Sequence, residues 1–403
     1  MEKQKISTIK IRNFKVLKEL TIDFADLTIL AGTNSSGKST IIQSLLFLKQ
    51  NLGVLRNSII ESFLQDKSVD VKGIDESVKN LFVRIQELIS QPQVVAFNGE
   101  YLNLGTIKDL LHQESYGEED SIILELIAAD HKLSCKVEHS VEENKSNLVA
   151  ELQGQLTSIN LLCDGFSYIH THRALPQDNY PLLSDLRDNA NLGIDGRYVA
   201  HFLEHFKHKE LSIIALKHKN ANTLQLLDNV TCWLGEISEQ ILIHVATDER
   251  KASLAYSYVY GDARSNELRP QNVGFGITYV LPIIVAILRA EPGDLLIVEN
   301  PETHLHPSAQ VAIAHLCALA VSHGVQMIIE THSDHFLNGI RVATKNKILT
   351  PKQSTIYFLE KGIEGMEIKQ YQLNIDAHGR ITQKWPRGFF DEYEKQLDEL
   401  IQW

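Results

Sequence analysis

The sequence predicts an α/β protein with antiparallel strands at its N-terminus, a central, mostly parallel sheet and helical insertions. Three observations lead to this. A glycine-rich loop after Ala31 separates a short apolar run from an apolar-faced helical run. The last third alternates continuous apolar strands with helical segments, the order of a parallel sheet covered on both faces. The stretch from Ile6 to Phe24 instead alternates apolar and polar residues, as a half-exposed strand pair does.

Taken in order, Ile6 to Phe24 reads as a two-strand hairpin with a break at Asn13, and Leu27 to Ala31 as a buried strand. A helix is expected from about Lys38 to Gln50, with Ile41, Ile42, Leu45 and Leu46 on its inner face. Residues 51–93 read as a polar helical insertion. Short strands are expected at Val94 to Phe97, Ser121 to Ala128 and His131 to Glu138, and a polar loop at 141–155. Residues 180–240 read as a second, mainly helical insertion, followed by strands at Ile241 to Ala246 and Ala252 to Tyr260. A helix from Ile277 to Arg289, a strand from Leu295 to Val298, a helix from Ser308 to Ser322 and a strand from Val325 to Glu330 follow. The residues after His332 read as two strands and a final helix near Phe389 to Ile401, within a C-terminal module at 350–403.

Composition excludes several classes. The chain has 403 residues, 43% hydrophobic and 22% charged, enough for a substantial core. Its formal net charge of −12 argues against bulk attraction to nucleic acid or anionic lipid, although a local basic face could still bind one. Cys135, Cys163, Cys232 and Cys317 lie far apart and form no Cys-x-x-Cys pair. A reducing, cytoplasmic setting is expected. No apolar run is long enough to span a bilayer, so no membrane partner is expected.

Four motifs point to chemistry. Gly32-Thr33-Asn34-Ser35-Ser36-Gly37-Lys38-Ser39 has the spacing of a phosphate-binding loop. Its glycines let the backbone curl and turn N–H groups toward phosphate oxygens. Lys38 can reach the terminal phosphates, and the Ser39 hydroxyl is placed to bind Mg2+. The helix that follows, whose first turn holds Thr40, points its positive N-terminal end at the anion. The second motif is Leu295-Leu296-Ile297-Val298-Glu299-Asn300-Pro301-Glu302, a carboxylate at the end of a buried strand, as a metal–nucleotide site requires. The third, Met327-Ile328-Ile329-Glu330-Thr331-His332-Ser333-Asp334-His335, ends a second buried strand at the same edge and offers His332 to a phosphate or to attacking water. The fourth, Asn272-Val273-Gly274-Phe275-Gly276, leaves N–H groups open at a helix start.

The order of these motifs resembles the ABC-class P-loop ATPase heads of RecF, SMC and OLD-type proteins. The stretches Glu299 to Pro307 and Glu330 to His335, the segment Gly99 to Gly105 and the tail Trp385 to Asp391 are similar to a narrower group. These are bacterial AAA-annotated ATPases with a C-terminal domain of unknown function, often encoded in anti-phage defence loci. The resemblance implies ATP and Mg2+ as cofactors. It implies that Gly32, Asn34, Ser35, Ser36, Gly37, Lys38, Ser39 and Thr40 hold phosphates, that Ser39 and Glu299 support the metal, and that His332 is a switch histidine. It also implies that Asn272, Gly274 and Gly276 cap ATP held by a second copy, in a head-to-head homodimer with shared sites and room for higher oligomers. The implied role is an ATPase switch acting on a separately encoded effector such as a nuclease or toxin. The alternatives are a RecF-like DNA-repair ATPase and a non-hydrolysing ATP-binding scaffold.

Two departures from the class stand out. Its usual Asp-Glu pair is here Glu299-Asn300, and an amide cannot take a proton from water. Either Glu302 takes that proton, or hydrolysis is slow and the protein is an ATP-controlled clamp. The signature serine is also missing, and Asn272 stands near its place. Beyond the motifs, His304, His306, His332 and His335 raise a metal reading that loses to a turn flanked by Pro301 and Pro307. The basic stretches at 205–209 and 217–219 read as a solvated face before a nucleic-acid contact. Arg173 follows a strand-like segment and is a candidate for a nucleotide or partner contact. Some seventy residues follow His332, which argues against an autonomous OLD-type nuclease domain.

Overall fold

Alternation at the N-terminus becomes an antiparallel pair, β1 (Thr8–Phe14) and β2 (Leu17–Asp23), in the computed structural model. The structure describes residues 3–65, 93–114, 121–140, 145–154, 158–184, 186, 191–362, 367–385, 388 and 392–401. Phe14 pairs with Leu17, so the connection is the two-residue turn Lys15-Val16. Lys15 and Asn13 both sit at φ of 56°. Ile9, Ile11, Leu20 and Ile22 are buried on one face, which fixes the register against a one-residue slip.

The chain divides into two compact units. One comprises Met1–Phe24, Thr33–Cys163 and Leu359–Lys369; the other Ala25–Gly32, Asp164–Phe358 and Gln370–Trp403. In the first, β1 and β2 join β4 (Gln93–Val94), β5 (Ile122–Ala128), β6 (His131–Ser140) and β7 (Lys145–Gln153) in the order β2-β1-β5-β6-β7-β4. The helix after the glycine loop runs through Gln65, so it does not end at Gln50. The rest of the expected insertion, 66–92, lies outside the described residues. The expected loop at 141–155 is corrected: Lys145–Gln153 is a strand paired along its length with β6, burying Leu148 and Ala150. Its polar residues occupy the exposed positions of an alternating strand, which makes a half-buried strand look like a loop.

The second unit is organised by parallel strands. β3 (Leu27–Gly32), β13 (Gln326–Glu330), β12 (Leu295–Glu299) and β8 (Phe166–Ile169) lie side by side, within the sheet order β15-β14-β3-β13-β12-β8. β14 is Ser354–Lys361 and β15 is Ile368–Leu373. Every residue of β12 and β13 is buried, as a parallel strand covered on both faces requires. The helix Phe275–Leu288 is buried nearly all round, with Pro282 inside it. A three-stranded antiparallel sheet, β11 (Ala263–Arg264), β10 (Ala252–Tyr260) and β9 (Ile241–Thr247), shares the same core.

The segment 180–240 contains the helices Val199–Phe206 and Leu226–Gly235. Phe202, Leu203, Val230 and Trp233 join the cluster that holds Leu296, Val298 and Ile329, so this stretch builds the main core of its unit. The helix Asp334–Lys345 is not among the elements expected after His332. It buries Phe336, Leu337, Ile340 and Ala343, a helical spacing, and Ser333 caps it by accepting from the Phe336 N–H at 2.9 Å. The helix Glu392–Ile401 ends the described chain. Among the described residues, no helix is long and apolar enough to cross a membrane.

Candidate functional site

In the first unit the glycine loop adopts the curl that its residues suggest. Ser35 sits at φ of 60° and Gly37 at 93°. A Cβ on Gly37 would be strained by that φ and would lie 3.0 Å from Leu17 Cδ2. Lys38 is buried, and its Nζ donates to the Thr33 carbonyl at 2.8 Å. Ser36 is fully buried, and its hydroxyl has no partner among the described residues. Thr33, Asn34, Ser35 and Ser39 are exposed along the loop, whereas Thr40 is buried. Ile41, Ile42, Leu45 and Leu46 are fully buried and anchor the helix that begins at Lys38. Amide groups at the start of a long helix, a lysine and an unmatched buried hydroxyl together fit the phosphates of a nucleotide.

In the second unit the carboxyl ends of three parallel strands are in register. Leu30 pairs with Glu330, and Glu330 pairs with Glu299. Glu299 is only 5% exposed. Its Oε1 accepts from the Tyr168 hydroxyl at 2.9 Å, and its Oε2 accepts from the Thr171 hydroxyl at 2.9 Å and the Thr171 N–H at 3.3 Å. His170 Nε2 lies 3.6 Å from the same Oε2. Burial, then the neighbouring Glu299 charge, pushes the Tyr168 phenol well above its ordinary value, so it remains a donor. Each carboxylate oxygen has two lone pairs, so Oε1 keeps acceptor capacity beyond the Tyr168 bond.

Asn300 leaves the strand at φ of 44°, a conformation asparagine tolerates. Its N–H donates to the Glu330 carbonyl at 2.8 Å, and its Nδ2 donates to Thr171 Oγ1 at 3.0 Å. Arg173 is 5% exposed and donates through Nη2 to the Glu299 and Asn300 carbonyls. Burial pulls its guanidinium down to about 10, offset by Glu302 and Glu299, and its Nε and Nη1 have no hydrogen-bond partner among the described residues. Glu302 is half-buried; its Oε1 accepts from the His332 N–H at 2.7 Å and its Oε2 from the Thr331 hydroxyl at 2.8 Å. Burial raises its carboxyl above the ordinary value, opposed by those hydrogen bonds and by Arg173. The His332 side chain is exposed.

The glycine segment opens the helix Phe275–Leu288. Asn272 and Gly274 are exposed, and Gly274 stands at the cap. Gly276 instead permits a close approach, since a Cβ there would come within 2.4 Å of the His304 carbonyl. His304 also packs edge-on against Tyr279, with ring centroids 5.0 Å apart. The other histidines have local roles. His306 caps the helix Pro307–Ser322, and His335 is on the first turn of the helix after Ser333. Among the described residues, no group of three or more His, Cys, Asp and Glu side chains is placed to share a metal ion. Within the basic stretch, Lys207 is paired to Glu204, and His218 and Lys219 both lie against Glu236.

A family model described as an AAA ATPase domain matches residues 5–243, more than half of the chain. The chain belongs to the AAA ATPase-domain family. A second AAA-domain model, whose description also bears the AbiEii toxin and the type IV toxin–antitoxin system, matches this AAA ATPase domain over residues 166–338. A domain of unknown function, DUF3696, matches 349–400. A search of curated proteins finds no match. Among solved structures, the domain is similar to an SMC head bound to the C-winged helix domain of ScpA, at 13% identity and a TM-score of 0.53, covering 92% of this chain and 98% of the other. A Pyrococcus furiosus SMC head with an extended coiled coil matches at 11% identity and a TM-score of 0.49, covering 98% and 99%. The first of these likenesses establishes the SMC-type head fold for this AAA ATPase domain.

Tyr168 and Thr171, which hold Glu299, are two residues of the candidate site that sequence reasoning misses. Their signal is weak, since β8 has only four residues and its pairing with β12 spans over a hundred positions. A short apolar run ending in His170-Thr171-His172-Arg173 is the only local trace.

Proposed function

We propose that this protein binds ATP with Mg2+ at residues 32–40, hydrolyses it slowly and uses nucleotide occupancy as a switch. The conformation of the glycine loop is the main support: positive φ at Ser35 and Gly37, Lys38 folded over the loop and the unmatched Ser36 hydroxyl. On this reading Gly32, Asn34, Ser35, Ser36, Gly37 and Thr40 surround the phosphates and Lys38 neutralises them. Ser39 and Glu299 are each read as metal-supporting residues. Bound Mg2+ would supply charge neutralisation at the phosphates. Tyr168, Thr171 and Arg173 orient Glu299 and its strand end. His332, exposed beside the acid pair, is the phosphate-sensing side chain.

Slow turnover is supported by Asn300, an amide in the place where a base would stand, with its Nδ2 committed to Thr171. The exposed Asn272 and Gly274 support capping of ATP by a second copy, in a head-to-head homodimer. The toxin–antitoxin description of one matching family supports a role in a toxin–antitoxin-type defence system. A separately encoded effector, such as a toxin or nuclease, and a cytoplasmic anti-phage setting are what the resemblance of the motifs implies. Direct DNA action is less favoured, because the net charge is −12 and Lys207 and Lys219 of the basic stretch are paired with acids of this chain.

Calorimetric titration with ATP and Mg2+, together with phosphate release by wild type and Lys38→Ala, tests the reading. Binding that Lys38→Ala abolishes, slow release above background and dimerisation with a non-hydrolysable analogue are expected. Equal nucleotide binding by both proteins would defeat it. Binding without any release would leave the non-hydrolysing scaffold.

A further inference from the structure

The two carboxylates that could serve chemistry after β12 are held very differently. Glu299 is oriented by Tyr168 on β8 and by Thr171 just beyond it. Glu302 is engaged by the segment that follows β13: His332 N–H on one oxygen and the Thr331 hydroxyl on the other. Thr331 is fully buried and extends the connection. Its N–H donates to the Leu30 carbonyl near the end of β3, and its Oγ1 accepts from the Ser333 N–H at 3.0 Å. Ser333 in turn caps the helix Asp334–Lys345. The Glu302 end of this chain is also fixed. Asn300 N–H donates to the Glu330 carbonyl, Leu305 N–H to the Glu302 carbonyl, and Thr303 Oγ1 to the Asn300 carbonyl. The turns after β12 and β13 are therefore tied twice, once by backbone and once by the Glu302 side chain.

We infer that Glu302 is a positioning residue, a strap that sets the backbone of Thr331 and His332, and is not the group that takes the proton from water. The inference rests on the ATPase reading for its functional meaning, but its geometry stands without it. Charge is not needed for the strap. A glutamine at this position keeps the shape, accepts from His332 N–H through its carbonyl and donates through its amide to Thr331 Oγ1, whose own hydrogen can rotate away. A glutamine cannot act as a base. The strap and the base thus make opposite demands on the same substitution.

Hydrogen–deuterium exchange of the segment 328–336, read by mass spectrometry on the full-length, nucleotide-free protein, measures the strap directly. Glu302→Ala is expected to raise exchange there by about tenfold or more, the loss of a charge-assisted hydrogen bond. Glu302→Gln is expected to stay close to wild type. If Glu302→Ala does not fold, Thr331→Val, which keeps the shape and removes the Oγ1 contacts to Glu302 and to Ser333 N–H, serves the same comparison when read at His332 N–H, which bonds Glu302 and not Thr331. In phosphate release, Glu302→Gln is expected to remain within about threefold of wild type, while Glu302→Ala falls by about tenfold. A general base contributes about 10²–10⁴-fold, so a loss of that size in Glu302→Gln with wild-type exchange would overturn the inference. Unchanged exchange in both Glu302→Ala and Thr331→Val would also overturn it. A wild type that releases no phosphate would defeat the ATPase reading, and the exchange comparison would still decide the strap.

Discussion

The phenol of Tyr168 donates a 2.9 Å hydrogen bond to the buried carboxylate of Glu299, across two adjacent parallel strands. Tyr168→Phe keeps the ring and removes only this donor. It is expected to destabilise the protein by about 1–3 kcal/mol, because a buried charged acceptor loses one partner while Thr171 remains. Urea unfolding of the two proteins measures the difference, and a change below a few tenths would contradict the role given to the phenol.

Gly276 is set by close approach. An alanine Cβ would stand 2.4 Å from the His304 carbonyl, which belongs to the turn after Glu299. Gly276→Ala should therefore cost about 1–3 kcal/mol as helix start and turn separate. Gly274→Ala, with nothing within 4 Å of its Cβ, should cost much less. Comparable melting temperatures for the two variants would refute the distinction.

Asn300→Glu places a carboxylate where the ABC class has its base. Two effects are expected together. Turnover rises by about tenfold or more if the missing base limits it. Stability falls by about 1 kcal/mol, because glutamate tolerates the φ of 44° less well than asparagine. Phosphate release and thermal melts check the pair, and unchanged turnover would show that the amide is not the limiting feature.

The raised carboxyl of Glu302 has a pH signature. When both states are protonated, below the unfolded value near 4.5, wild type and Glu302→Gln should be equally stable at this site. As pH rises, the unfolded chain ionises first, and wild type loses stability until the folded carboxyl has also ionised. The melting-temperature advantage of Glu302→Gln should therefore grow from about pH 4 upward and then level off. An advantage that shrinks with rising pH would place the shift in the opposite direction.

Local patterns made much of this protein readable. The glycine loop, the acidic strand end and the histidine strand end could be found because each joins a buried apolar run to a few polar residues with a chemical reason to be adjacent. The strands β12 and β13 were equally plain, since a strand covered on both faces is a continuous apolar run. β7 was hidden because half of its residues face solvent, and the helix Asp334–Lys345 because its charged face dilutes a clear helical spacing.

The sequence by itself determined the α/β class, from the order of its apolar runs, and exposed the glycine loop after Ala31 and the amide of Asn300 beside Glu299, each of which depends on residues within one short segment. Tertiary structure alone decided who holds the acids: Tyr168 and Thr171 on Glu299, over 120 positions away in the chain, and Glu302 on Thr331 and His332. Those partners meet because parallel strands bring distant segments to one edge of a sheet. A buried carboxylate must find donors there whatever their position in the chain.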